Sequence, residues 1–307
     1  MVSDTTLSLE VREWSKKIVE RPEVADYYAQ RAGVLVKEDR MGLAILDFEK
    51  AIAIDGDKPK FYYDLGDIYF ADNQTSKALE QYRQAETINP NDQEAVFKHA
   101  QFLYFVRQFE KSNIKFGKLL NLNPEHAEGH FFLGMLNKED GDTLGAIQHF
   151  NQVNTLLGSD YNSCMQLAQI YVAQDEGDKA LQFFEKAINL DPTSDEAYYA
   201  RGLFYQNKQM DLLAMKDYQK TIDLNSAHYY AYYNAGNILA KDGNYISAID
   251  HFEICLRLKT DFVKAYNRIG QCFELLNKPD KAAENYKKCL QIDPNFALAK
   301  EGLSRLG

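Results

Sequence analysis

The side chains best suited to chemistry are few. His126 and His130 stand four apart, the spacing at which one helix face can offer two imidazoles to a metal. No cysteine or third histidine lies near them in sequence, so they read as structural. His149 and His251 fall at matching positions on a second helix and read as solvent-facing. The four cysteines, Cys164, Cys255, Cys272 and Cys289, contain no CxxC pair. Four thiols in 307 residues do not make a disulfide framework, and they fit a reducing compartment. Cys255 and Cys289 take a position filled elsewhere by Ala51, Ala85 and Ala187, so they read as small core residues. No GxGxxG, phosphate-binding loop, GxSxG or HExxH appears. The expectation is a non-enzyme with no cofactor and no metal.

The elements that position these residues must suit the composition. Acidic residues outnumber basic ones 45 to 35, a formal charge of −10. Such a chain repels a phosphate backbone, so nucleic acid is not the expected partner. The longest apolar runs, such as 102–106, fall far short of the roughly 18 residues of a spanning helix. The first residues, MVSDTTLSLEVREW, show no basic segment followed by an apolar one. A cytoplasmic location is the default, with export or lipid anchoring after removal of a leader as the alternative. Twenty tyrosines and 18 phenylalanines beside one tryptophan are unusual and need a structural place.

A repeat supplies it. The phrase YYDLGDIYF at 62–70 returns as YYARGLFYQ at 198–206 and YYNAGNILA at 232–240, spaced by multiples of 34. Eight contiguous blocks fit without insertion: 25–58, 59–92, 93–126, 127–160, 161–194, 195–228, 229–262 and 263–296. Each reads as two amphipathic helices, A and B, joined by a tight turn. The eighth place of every block is Ala or Gly, and the twentieth is Ala or Ser. The twenty-fourth is aromatic eight times out of eight: Phe48, Tyr82, Phe116, Phe150, Phe184, Tyr218, Phe252 and Tyr286. Small residues at places 8 and 20 let the helices of a hairpin approach, and the aromatic fills the wider gap beside them. Five of the seven prolines, Pro22 among them, sit at place 32, where a helix must end.

These features resemble the tetratricopeptide repeat family. Repeat 2 carries the pattern nearly whole in Tyr62, Leu65, Gly66, Tyr69, Ala78, Tyr82, Ala85 and Pro90. Gly56, Gly158, Ser226 and Thr260 replace the proline elsewhere, and His130 and Cys164 stand where an aromatic is usual. The resemblance implies an all-α, right-handed superhelical solenoid of helix-turn-helix repeats. Residues 1–24 then form an amino-terminal half-repeat, a lone B-type helix over 6–21 with the stripe Leu7, Val11, Trp14 and Ile18. Residues 25–296 form the eight repeats, and 297–307 a carboxyl-terminal capping helix. Solenoid ends need such caps, because each repeat buries its apolar face only against neighbours.

The resemblance further implies a concave groove lined by A helices that holds a peptide or a partner helix. The groove anchors expected at place 5 are Tyr63, Phe97, Phe131, Tyr199 and Tyr233, with Tyr104 close by. Phe70, Phe105, Phe132 and Met135 thicken the aromatic density in repeats 2–4, and contiguous exposed apolar patches mark binding sites. Some family members clamp a partner's terminal carboxylate with five residues from three successive A helices. Here Asn234, Lys264 and Arg268 match three of the places, whereas Tyr199 and Leu203 replace a lysine and an asparagine. Lys264 and Arg268 are four apart and can share one carboxylate. Residues 263–307 hold eight basic and five acidic side chains, against the acidic remainder.

The function expected is therefore a non-catalytic interaction scaffold or adaptor. One alternative is a self-assembling spacer using Leu298, Leu303 and Leu306. Another is a regulatory or assembly subunit of an enzyme or secretion complex whose chemistry lies in another chain.

Overall fold

The structure is a computed structural model and describes residues 7–307. Among those residues it contains 18 α-helices and no strand. It divides into two compact units, the first ending at Leu157 and the second running Gly158–Gly307.

In unit 1, α1 (Leu9–Glu20) precedes four hairpins: α2 (Ala25–Lys37) with α3 (Met41–Ile54), α4 (Pro59–Ala71) with α5 (Thr75–Ile88), α6 (Gln93–Phe105) with α7 (Phe109–Leu122), and α8 (Ala127–Glu139) with α9 (Thr143–Leu157). The Ser8 side chain caps α1 by accepting from Val11 N at 3.3 Å. Val11 and Ile18 are buried, with Leu7 and Trp14 packed against the same cluster. Residue 6 of the expected first helix lies outside the described residues.

Unit 2 holds α10 (Tyr161–Ala173) with α11 (Gly177–Leu190), α12 (Asp195–Asn207) with α13 (Asp211–Leu224), α14 (Tyr229–Lys241) with α15 (Tyr245–Leu258), and α16 (Val263–Leu275) with α17 (Pro279–Ile292). α18 (Ala297–Leu306) follows. Within each unit a helix packs most extensively on its hairpin partner and next on the following hairpin.

The aromatic of each B helix explains why the hairpins close. Phe116, Phe150, Tyr218, Phe252 and Tyr286 are fully buried, and the other three are at most 3% exposed. A Cβ on Gly66 would come within 2.9 Å of Tyr82 Cε1, and one on Gly236 within 2.7 Å of Phe252 Cε1. No real Cβ sits that close to a ring atom, so glycine sets the approach of the helices.

The turn between A and B has one geometry. Its fifteenth-place residue adopts positive φ in all eight hairpins: Asp39, Asn73, Arg107, Gly141, Asp175, Gln209, Gly243 and Asn277. The next residue's N–H donates back to the carbonyl five residues earlier, as in Gln108 N to Leu103 O at 2.8 Å and Met210 N to Tyr205 O at 2.9 Å. This left-handed cap satisfies carbonyls that the end of helix A would leave orphaned.

Place 23 departs from the sequence expectation. In the first, fourth and sixth repeats the residue there turns inward and pairs with helix A of its own repeat. Asp47 takes a two-pronged bond from Arg31, 2.7 Å on each oxygen. Asp217 takes one from Arg201 at 2.8 Å on each. His149 is half-buried, not solvent-facing, with its Nδ1 2.9 Å from His130 Nδ1. His251 is also half-buried and bonds Ser247 O at 2.8 Å.

Candidate functional site: the A-helix faces

In unit 1 the expected anchors sit at different depths. Tyr63 on α4 is 9% exposed and Phe97 on α6 is 5% exposed. Phe97 packs on Phe116 at 6.1 Å between ring centroids, on His126 at 5.2 Å and on Phe132 at 6.0 Å. Both rings belong to the core, which corrects the expectation that they are free anchors. Burial, and then the carboxylates of Asp64 and Asp92, push the Tyr63 hydroxyl far above its ordinary pKa.

Tyr104 is half-buried between Phe132 at 5.2 Å and Phe109 at 5.7 Å, and Phe131 is half-buried against Phe150 at 5.6 Å. Beside them Phe105 is 53% exposed while stacking on Phe70 at 6.1 Å. Phe105 is therefore the ring of this cluster with most surface to offer.

Unit 1 also contains a cavity of about 330 Å³ that sequence reasoning did not find. Val36, Met41, Phe48, Ile68 and Ala71 line it together with Asp64 and Asp67. The available signal was Gly33, which also lines it: a Cβ there would meet nothing within 4 Å. Asp67 accepts from Tyr82 OH at 2.7 Å and from Lys98 Nζ at 2.8 Å. Asp64 is bridged by Lys60 at 3.0 Å, yet burial raises its carboxyl above the ordinary value.

In unit 2 two predicted residues meet directly. Asn234 Nδ2 on α14 donates to Tyr199 OH on α12 at 3.2 Å. The half-buried Tyr199 ring lies 4.4 Å from the His228 ring, and half-buried Tyr233 meets Phe262 edge-on at 5.0 Å. Phe262 also contacts Tyr229 and Tyr230, two further aromatics that sequence reasoning passed over. The hydrogen bond that the Tyr229 hydroxyl donates to Tyr230, and then burial, raise that hydroxyl to about 12.

Lys264 on α16 is exposed, and half-buried Arg268 donates to Gln271 Oε1 at 3.1 Å. Among the described residues no hydrogen bond or ion pair joins either cation to Asn234. The same two helices, α14 and α16, carry two buried side-chain carbonyl oxygens without a hydrogen-bond partner, Asn237 Oδ1 and Asn267 Oδ1. The face thus offers aromatic surface, amide groups and two cations.

The residues weighed for catalysis take structural roles. His126 Nδ1 caps α8 by accepting from Gly129 N at 3.1 Å, while His130 Nε2 donates to Pro124 O at 2.9 Å. The two imidazoles hold separate partners. Burial lowers the His149 pKa and His130 lowers it further. Burial also raises the thiols of Cys255 to about 12 and of Cys272 and Cys289 to about 11, far from a reactive thiolate. Among the described residues no group of three or more His, Cys, Asp or Glu could hold a metal, and no helix is long and apolar enough to cross a membrane.

Comparison with known proteins agrees with the hairpin geometry. Tetratricopeptide repeat profiles match residues 59–92, 229–262 and 263–296, and a TPR repeat profile matches 168–209. Human Protein O-mannosyl-transferase TMTC3 is 23% identical over 200 residues, 64% of this chain and 22% of that protein. The chain thus spans about a fifth of that relative's length. The crystal structure of MamA is 27% identical with a TM-score of 0.52, covering 57% of this chain and 95% of MamA. The carboxyl-terminal part of a TPR repeat-containing protein from Cytophaga hutchinsonii superposes with a TM-score of 0.67 at 18% identity, over 78% of this chain and 99% of that one. Hairpins recurring every 34 residues, the buried aromatic of each B helix and these four matching segments make the chain a member of the tetratricopeptide repeat family, whose proteins generally mediate protein–protein interactions.

Proposed function

We propose that the chain is a non-catalytic scaffold that holds a partner peptide along its A-helix faces. The observation that carries this reading is the unit 2 face. Tyr199 and Asn234 are hydrogen-bonded to each other across successive hairpins, and a half-buried Tyr233 and an exposed Lys264 lie on the A helices beside them. Binding there would be preorganised, because the side chains are already held by packing, so mainly the ligand loses freedom. Tyr104, Phe105 and Phe131 would serve in the same way on unit 1.

The test is recovery of partners from source-cell extract by wild type, by Lys264→Glu/Arg268→Glu and by Tyr233→Ala. A protein held by wild type and lost by both variants supports the reading. An identical set from all three sinks it.

A second reading, self-association, is favoured by one observation. Leu212 and Ile246 occupy the same place in successive B helices of unit 2 and are 87% and 64% exposed. Of the carboxyl-terminal leucines, Leu298 is 51% exposed, whereas Leu303 and Leu306 pack on the cluster around Tyr286. Concentration-dependent light scattering, repeated with Leu212→Ser/Ile246→Ser, separates a self-assembling spacer from an adaptor.

A further inference from the structure

A groove in unit 1 lies between α5 and α7. It encloses about 400 Å³ over apolar side chains, Leu79, Leu103 and Ile114, the last 70% exposed. Its rim is basic, formed by Arg83, Lys111 and Lys115. A second depression of about 250 Å³ shares Arg83, His99 and Lys115 with the first and adds Thr87, Pro90 and Glu86.

The charge there opposes that of the chain as a whole. Glu86 is the only carboxylate lining either depression, and it is already saturated. Lys115 reaches it at 2.7 Å, Lys118 at 2.8 Å and His99 Nδ1 at 2.8 Å. Lys111 bonds only the neutral Gln108, at 2.9 Å. Neither Lys111 nor Arg83 has a carboxylate partner among the described residues. Two cations therefore stand uncompensated above an apolar floor, on a protein whose formal charge is −10.

We propose that this groove docks a partner segment in which a large apolar side chain is followed, one helical turn on, by carboxylates. The apolar group enters over Leu79, Leu103 and Ile114, and the carboxylates meet Arg83 and Lys111. Positions three and four apart on a helix are neighbours, so one amphipathic turn spans floor and rim. Complementary rim charge mainly speeds association and selects the partner, and salt screens it.

The probe is a fluorescein-labelled, end-capped helical peptide of alanine and glutamine carrying one leucine followed at i+3 and i+4 by glutamates. Anisotropy should show saturable binding to the full chain that weakens as salt rises. Arg83→Glu/Lys111→Glu and Ile114→Ser, both at exposed positions, should each weaken it about tenfold. Lys264→Glu/Arg268→Glu should leave it unchanged, which keeps this surface distinct from the A-helix face. Absence of saturable binding overturns the proposal. So does equal affinity for a peptide with glutamine in place of the glutamates, or tighter binding of a labelled single-stranded oligonucleotide.

Discussion

Arg201 and Asp217 close a two-pronged ion pair across one hairpin, with both oxygens of the carboxylate engaged at 2.8 Å and its side chain only 4% exposed. The hydrogen bond and the charge of Asp217 raise the Arg201 pKa against the opposing effect of burial. A buried pair stabilises little relative to an apolar pair of similar volume, but removing one member strands the other. Asp217→Ala is therefore expected to lower stability by about 3 kcal/mol, whereas Arg201→Met/Asp217→Leu should lie near wild type. Urea unfolding followed by circular dichroism measures both. A double variant as unstable as the single one would mean that the pair is intrinsically stabilising.

Phe116 tests the packing. It is fully buried between Phe97 and Phe132, at 6.1 and 5.1 Å. Phe116→Ala should cost about 3–5 kcal/mol. Phe97→Ala should behave like it, by about 3 kcal/mol, because Phe97 is core. Phe105→Ala should be nearly neutral in thermal unfolding. A neutral Phe97→Ala would return that ring to the list of exposed anchors.

The contrast between Phe97 and Tyr233 shows what the sequence can carry. Both occupy place 5 of helix A. Phe97 is covered by His126 and Phe132, while Tyr233 stays half-buried. Periodicity assigns a face; depth on that face depends on the sizes of residues in the neighbouring hairpin. The aromatic at place 24 is legible because every hairpin has the same gap to fill. The inward pairs at place 23 are not, since Arg31 with Asp47 and His130 with His149 are separate solutions in single repeats. The cavity beside Gly33 is likewise a missing side chain, which a pattern of present ones does not reveal.

The turns also hide their demand, because Arg107 and Gln209 hold positive φ of 60° with no sequence mark. Left-handed geometry strains a residue with a Cβ by roughly 1–2 kcal/mol. Glycine relieves that strain but gives about 0.4–1 kcal/mol back through the freer unfolded chain. Gln209→Gly should accordingly stabilise by about 0.5–1 kcal/mol, and Gly243→Ala, at φ 78°, should destabilise. Melting temperatures of the two variants should move in opposite directions.

Glu86 gives the protein an acid-side dependence. Burial alone would raise its carboxyl, but hydrogen bonds from His99, Lys115 and Lys118 outweigh burial and hold it far below the ordinary carboxylate value. The folded state therefore releases this proton more readily than the unfolded chain. A group depressed in the folded state stabilises above its unfolded pKa, near 4.3, and loses that contribution as pH falls below it. Unfolding free energy measured by urea should decline as pH is lowered from about 5 towards 3. Glu86→Gln should be less stable at neutral pH, because it leaves Lys115 and Lys118 without their shared partner, and its curve over the same range should be flatter. Parallel curves for wild type and variant would show that acid sensitivity arises from other carboxylates, among them Glu274, which Arg305 holds below its ordinary value.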